Sequence, residues 1–302
     1  MEKFKDWNKV LYISIGVLCV LSIIAGIYAQ FFVKSEDKNN VILPTGDQTG
    51  GDGIKEKTTE EIKAQFASLF INEFNSENYD TTNISKIVAD KDIVYSAYDI
   101  NEKKDNYEVI VHLPVINIKG EVATSFNTIT QNIFANKASE ILSGKSTNNV
   151  IYTINYAAYI NGDILSLIIE GTLKDGTNPQ RVLIQTYNYN LQTGEKAVIE
   201  DVLSQKNLVQ SEVQNKINEV VTRAKEEAEI LVQSGYTVYN RELNNAMYKL
   251  SNISNYFLGP NGELYIVFAY GNQNYTSEMD IVLFENENSN NTTSDNSTNS
   301  EK

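Results

Sequence analysis

The stretch VIYTINYAAYINGDILSLIIE, residues 150–170, carries the clearest hairpin signal in the chain. Two runs rich in β-branched, aliphatic and aromatic residues, 150–160 and 163–170, flank the dipeptide Asn161-Gly162. Asn-Gly is favoured in a type I′ turn, because both central residues of that turn need positive φ. The sequence therefore predicts two antiparallel strands joined by a tight turn at Asn161-Gly162.

Further strands and helices are predicted on both sides of this hairpin. Alternating apolar residues are typical of strands, whereas apolar residues that recur every three or four positions are typical of helices. The predicted strands are 93–98, 107–113, 181–190, 256–258, 263–270 and 279–284, and the predicted helices are 58–75, 122–144, 209–231 and 243–250. This order favours an α+β fold in which antiparallel sheets pack against helices. We divide it into an N-terminal subdomain, 58–147, and a second subdomain, 148–284.

Residues 10–33 (VLYISIGVLCVLSIIAGIYAQFFV) contain no charged side chain. As a helix this run spans roughly 36 Å, enough to cross a hydrocarbon core of about 30 Å. Lysines outnumber acids in residues 1–9, which places the N-terminus in the cytoplasm and the rest outside the cell membrane. A signal peptide cleaved near Ala29 is the alternative, but its apolar region would exceed the usual length of roughly 7–15 residues. The sequence predicts a single-pass transmembrane helix.

Two polar segments flank the predicted globular part. Residues 34–57 include the polar, glycine-rich run TGDQTGGDG at 45–53, as in a flexible linker. Residues 285–302 contain no hydrophobic side chain, and such a segment cannot offset its ordering entropy by burial. We therefore predict a linker at 34–57 and a disordered tail at 285–302.

The charge is strongly acidic. The net charge of the chain is −14, and the part after residue 33 holds 22 basic against 37 acidic residues. This charge argues against nucleic acid, which needs basic patches, and attracts cationic partners. The single cysteine, Cys19, lies in the predicted membrane segment, so the exterior part is predicted to lack disulfides. The partners expected are the membrane and an extracellular protein or cell-wall ligand of a Gram-positive envelope.

Catalytic motifs are scarce. With His112 as the single histidine, the sequence excludes H-E-x-x-H and His-rich zinc sites, and no G-x-S-x-G supports a triad. Gly144-Lys145-Ser146 lacks the first glycine of a P-loop. We predict no catalytic, cofactor-binding or metal-binding residue and no enzymatic activity. A cell-wall hydrolase that uses paired carboxylates remains an alternative, because so many acids leave some pair close together.

Tyrosines are concentrated on the predicted strands, and two interpretations of them stay open. They are ordinary residues of a half-buried sheet, or they form an aromatic face that binds a protein or a glycan. The candidate binding surface consists of Tyr152, Tyr156, Tyr159, Tyr187 and Tyr189.

The segment YNYNLQTGEK, residues 187–196, and the later segment 256–268 resemble a known family. They are similar to the exterior domain of the anti-sigma-V factor RsiV, a domain shared with the N-terminal region of the peptidoglycan deacetylase PdaC. The resemblance covers residues 93–284 and implies a binding scaffold, in RsiV one that senses lysozyme. The leading hypothesis is a membrane-anchored extracytoplasmic binding or sensing domain for a basic protein such as lysozyme or for a wall component. The alternatives are the hydrolase and an accessory subunit of an envelope complex.

Overall fold

The structure is a computed structural model that describes residues 57–74, 79–144, 148–271 and 277–286. The predicted transmembrane helix at 10–33, nearly all of the predicted linker and most of the predicted tail lie outside the described residues. Within the described ranges, no helix combines the length and the apolar character needed to cross a bilayer.

The first sheet has five strands in the order β1-β2-β3-β4-β5. Helices lie before β1, between β2 and β3, and between β5 and β6. The strands of the first sheet are β1 (Val94–Lys104), β2 (Tyr107–Ile116), β3 (Val150–Asn161), β4 (Ile164–Asp175) and β5 (Arg181–Asn190). The helices are α1 (Thr59–Ala67), α2 (Glu121–Thr130), α3 (Asn136–Leu142), α4 (Ile199–Gln205) and α5 (Gln210–Gln233). A second sheet contains β6 (Tyr256–Leu258), β7 (Leu264–Ala269) and β8 (Met279–Phe284), all antiparallel.

One pairing in the first sheet is parallel. β2 pairs with β3 in parallel, from Tyr107 opposite Val150 to Val111 opposite Ile154, whereas the other pairs are antiparallel. The prediction of purely antiparallel sheets is wrong for this pair. The reason is that the helices between β2 and β3 return the chain to the end of the sheet where β2 began, as a crossover between parallel strands requires.

The turn between β3 and β4 differs from the predicted one by a single residue. Asn161 pairs with Ile164 as the last rung of the ladder, and the positive φ of 55° falls on Gly162. The loop residues are therefore Gly162 and Asp163, and a glycine first in a two-residue loop fits a type II′ turn. Two hydrogen bonds hold Asn161 in the strand. Its side-chain amide donates to the Gly259 carbonyl at 3.0 Å, and its backbone carbonyl accepts from the Gln205 side chain at 2.9 Å.

The helix predicted over residues 122–144 is interrupted by one widened turn. A π-helical segment, Gln131–Ala135, joins α2 to α3. Phe126 and Phe134 are buried against the first sheet, whereas Ile129 and Ile133 are 50% and 46% exposed. A π-turn inserts one residue into the helix, which shifts the apolar face on its C-terminal side.

The described part packs in four layers. Helices α2 and α3 cover one face of the first sheet, and the second sheet covers the other. Helix α5 covers the outer face of the second sheet. Strand β7 is buried on both sides, since Tyr265 faces the first sheet whereas Ile266 and Phe268 face α5.

Polar side chains join the two sheets. The Ser166 hydroxyl donates to the Asn188 side chain at 2.6 Å and accepts the Leu258 N–H at 3.2 Å. The Asn188 amide donates to the Tyr256 carbonyl at 2.9 Å. These bonds satisfy backbone groups of the short strand β6, which would otherwise be buried without partners.

Candidate ligand-binding cleft

The structure does not bring the five candidate tyrosines together on an open face. Tyr152, Tyr156 and Tyr189 are 2%, 2% and 4% exposed and lie in the core beneath α2 and α3. Tyr187 is half-buried beside the same core, and Tyr159 lies on the opposite face of the sheet.

Several of their hydroxyls are used inside the protein. Tyr152 donates to the Phe134 carbonyl at 3.2 Å, Tyr187 to the Val122 carbonyl at 3.1 Å, and Tyr159 to the Leu69 carbonyl at 3.3 Å. Burial raises the pKa of Tyr187 to about 12, so its hydroxyl stays protonated. Tyr152, Tyr159 and Tyr187 thus use their hydroxyls inside the fold, and the tyrosine surface stays a prediction.

A cleft of about 1000 Å³ opens between α1, α5 and β8, beside the middle of β4. Helix α1 is held at one side by Phe66, whose ring lies 5.3 Å from Phe70 and 5.9 Å from Tyr265. Gln65 of the same helix donates to the Tyr265 hydroxyl at 2.6 Å. A capping box formed by Thr58 and Glu61 begins this helix. The cleft therefore has walls from parts of the chain that are far apart in sequence.

Glu170, in the middle of β4, lines the cleft and is half-buried. Its carboxylate makes no hydrogen bond or ion pair with any residue that the structure describes. Burial raises the pKa of the Glu170 carboxyl above its ordinary value. A partly desolvated carboxylate of this kind gains more than an exposed one from a ligand that supplies a positive charge or a hydrogen-bond donor.

Arg241 differs from Glu170, because its charge is compensated by carboxylates inside the protein. Its guanidinium donates through Nε and Nη2 to the two oxygens of Asp280, each at 2.8 Å. Its Nη1 donates to Glu278 at 3.1 Å and to the Tyr239 carbonyl at 3.0 Å. Such a two-pronged pair has fixed geometry, and it is buried, with Arg241 6% and Asp280 5% exposed.

Tyrosines complete this buried cluster. The Tyr270 hydroxyl donates to Asp280 at 2.5 Å and lies 3.0 Å from the Tyr248 hydroxyl. Its ring stacks on Tyr239 with centroids 3.9 Å apart. Burial and the adjacent Asp280 carboxylate raise the pKa of Tyr270, which keeps it protonated as a donor. Arg241, Glu278 and Asp280 all reach the cleft lining.

Charge is distributed unevenly between the rim and the interior of the cleft. Lys63, Arg223 and Glu227 line it with exposed side chains. Among the described lining residues, those that are half-buried or buried provide three carboxylates and one guanidinium. The interior is therefore negative.

The remaining candidate groups lie outside the cleft. His112, on β2, has its Nδ1 2.9 Å from an oxygen of Asp99 on β1, as expected for a strand residue with a partner. In the described ranges no three of the His, Cys, Asp and Glu side chains are grouped so that they could hold a metal ion.

Comparison with known proteins identifies structural neighbours only. No family model matches the sequence, and no curated protein sequence matches it significantly. The fold is similar to a DUF3298 family protein from Pseudomonas aeruginosa PAO1, with 10% identity, a TM-score of 0.33, and coverage of 61% of this chain and 83% of that one. It is also similar to a DUF3298 family member from Bacteroides fragilis NCTC 9343, with 10% identity, a TM-score of 0.28, and coverage of 60% and 85%. These structural neighbours are DUF3298 family proteins, and nothing about the cleft follows from them.

Proposed function

We propose that this chain is a membrane-anchored extracytoplasmic binding or sensing domain of the RsiV-like type, with the cleft between α1, α5 and β8 as its ligand site. The observation that supports the proposal is the pairing of a large cleft with Glu170, a half-buried carboxylate for which the described residues supply no partner. Burying part of a carboxylate without a partner costs stability. Groups of this kind are concentrated at functional sites, where a ligand supplies what the fold does not.

The anchor and the ligand of the proposal come from the sequence. Residues 10–33 hold the domain at the outer face of the membrane. The ligand is a basic protein such as lysozyme or a component of the cell wall, since the acidic exterior attracts cationic partners over long range.

Blocking the cleft tests the proposal. Ala224 lies on α5 within the lining, so Ala224→Trp fills the cleft, whereas Glu219→Trp adds the same side chain at an exposed position of α5 outside it. The full-length chain is passed over immobilised lysozyme and over purified cell wall. We expect retention of the wild type and Glu219→Trp on one of these supports and at least a tenfold loss for Ala224→Trp. Equal retention of both tryptophan variants, or no retention of the wild type, would overturn the proposal.

Glu170 also favours a second candidate, the cell-wall hydrolase. A carboxyl with a raised pKa in a cleft suits a general acid. Glycoside hydrolysis needs a second carboxylate, and of the acids in the described lining Glu278 and Asp280 are bonded to Arg241, which leaves Glu227 at the rim. The hydrolase would be supported if the full-length chain released soluble fragments from purified cell wall and Glu170→Gln did not.

A further inference from the structure

We infer that the cleft binds a small organic cation, a protonated amine carried on an apolar body, with Glu170 as its counter-ion. The inference rests on the proposed function, because it names the chemistry of the ligand at the same site. Three features of the cleft support it: the charge of its interior, the character of its walls and its size.

The interior carries more negative than positive charge. Asp280 and Glu278 share the single guanidinium of Arg241, and Glu170 faces the same cleft with no counter-ion from the described residues. An anionic ligand would add like charge to this region, and a neutral apolar ligand would leave the Glu170 carboxylate desolvated and unpaired. A cation is the charge type that removes both costs.

The walls are largely apolar. Ile62 and Phe66 come from α1, Ala224 and Leu231 from α5, and Met279 and Ile281 from β8. Apolar surface that leaves water contributes about 25 cal/mol per Å². An ammonium group without an apolar body would forgo this contribution. Apolar walls also screen charge less than water does, so attraction between charges is stronger beside them.

The exposed cations at the rim do not replace the ligand. Lys63 and Arg223 have exposed side chains, so solvent and salt screen their charge.

The volume of about 1000 Å³ lies at the upper end of the range of roughly 300–1000 Å³ found for small-molecule sites. The size therefore fits a small molecule that enters past the rim and reaches Glu170.

Two probes that share an apolar body, one with a charged head group and one with a neutral head group, test this inference. Phenethylammonium and 2-phenylethanol carry the same apolar body, and their binding to the full-length chain is measured by isothermal titration calorimetry and ligand-observed NMR at pH 7.5. We expect the wild type to prefer the ammonium at least tenfold. Glu170→Gln should abolish that preference, whereas Glu219→Gln, which removes the same charge from α5 outside the cleft, should retain it. Equal affinity of the wild type for both probes, or an unchanged preference in Glu170→Gln, would overturn the inference.

Failure of this inference is distinguishable from failure of the proposed function. If neither probe binds but Ala224→Trp still loses retention on lysozyme or cell wall, the site exists and its ligand is not a small cation. If the ammonium binds through Glu170 and neither support retains the wild type, the cation site stands and the proposed function falls. A circular dichroism spectrum of Glu170→Gln that matches the wild type confirms that a lost preference does not reflect a lost fold.

Discussion

Two ionisable side chains of one cleft show how differently a fold treats buried charge. Arg241 has a carboxylate pair, a backbone carbonyl and an aromatic ring, with the Tyr270 centroid 5.2 Å from its guanidinium carbon. Removing one partner of such a buried pair leaves the other charge uncompensated, which is strongly destabilising. The cluster therefore stabilises the position of β8, which carries Asp280. Glu170 receives no such compensation from the described residues, and this difference is the basis of the proposed ligand site.

The raised pKa of Glu170 predicts how its substitution affects stability as pH changes. Because its pKa is higher in the folded than in the unfolded state, the contribution of Glu170 to stability is fully present below the unfolded pKa. It is lost as pH rises through the folded pKa. Glutamine stays neutral, so the melting temperature of Glu170→Gln relative to the wild type should increase from pH 4 to pH 8. Thermal unfolding of the ligand-free full-length chain measures this difference in melting temperature, and Glu219→Gln serves as the control. A melting-temperature difference between Glu170→Gln and the wild type that becomes smaller with rising pH would contradict the prediction.

At the scale of elements, glycines allow the closest contacts. A Cβ at Gly271, just after β7, would lie 2.1 Å from the Val182 carbonyl oxygen of β5. A Cβ at Gly171 in β4 would instead meet side-chain atoms of Ile154 and Phe134 at 3.0 Å. Backbone cannot move aside as a side-chain end can, so the contact at Gly271 fixes how closely the two sheets approach at this point.

The two glycines therefore predict a graded effect of alanine. Gly271→Ala should lower the free energy of unfolding by more than about 3 kcal/mol, because a strand has to shift, which lies at the upper end of what overpacking costs. Gly171→Ala should lower it by about 1 kcal/mol, since the neighbouring side chains can adjust. Urea unfolding of both variants measures the difference, and equal losses would show that the backbone contact is not limiting.

The strands and most helices were predictable from the sequence, whereas the direction of one strand pairing and the exact position of one turn were not. The alternation in residues 107–113 indicated a strand, but it cannot specify that the neighbour on one side is parallel. Asn161-Gly162 marked the turn, yet the bonds of Asn161 to Gly259 and Gln205 shifted it by one residue. Those partners lie 98 and 44 positions away in the chain, beyond any local pattern.

The cleft could not be predicted from the sequence, because it too is formed by segments that are far apart in the chain. Glu170 ends the apolar run DILSLIIE and has the pattern of an ordinary solvated strand end. Its environment is made by α1, α5 and β8, which local patterns do not connect. The tyrosines were the more visible feature, but strand composition does not tell an exposed ring from one covered by α2 and α3.

At the scale of the whole molecule, the layers share strands from both predicted subdomains. The first sheet runs without interruption from β1 to β5, and the bonds of Ser166 and Asn188 connect it to the second sheet. Strand β7 is buried between the first sheet and α5. The predicted division at 147/148 thus crosses a ladder of paired strands.

We expect the described part to unfold in one transition. Strands on either side of residue 148 lose their common core together, so the calorimetric and van't Hoff enthalpies of the full-length chain should agree. Far-ultraviolet circular dichroism and tyrosine fluorescence should give coincident melting curves. Two separated transitions would show that residues 58–147 and 148–284 are independent units.

The parallel pairing of β2 with β3 also has a consequence for how the chain folds. Hairpins β1–β2 and β3–β4 join neighbouring segments and close at low entropic cost, whereas β2 and β3 meet only after the intervening helices have crossed the sheet. We therefore expect the two hairpins to form before they pair with each other, both during synthesis and during refolding. We expect the ladder from Tyr107 opposite Val150 to Val111 opposite Ile154 to form after the two hairpins, and until then β2 and β3 each present an unpaired edge to other chains.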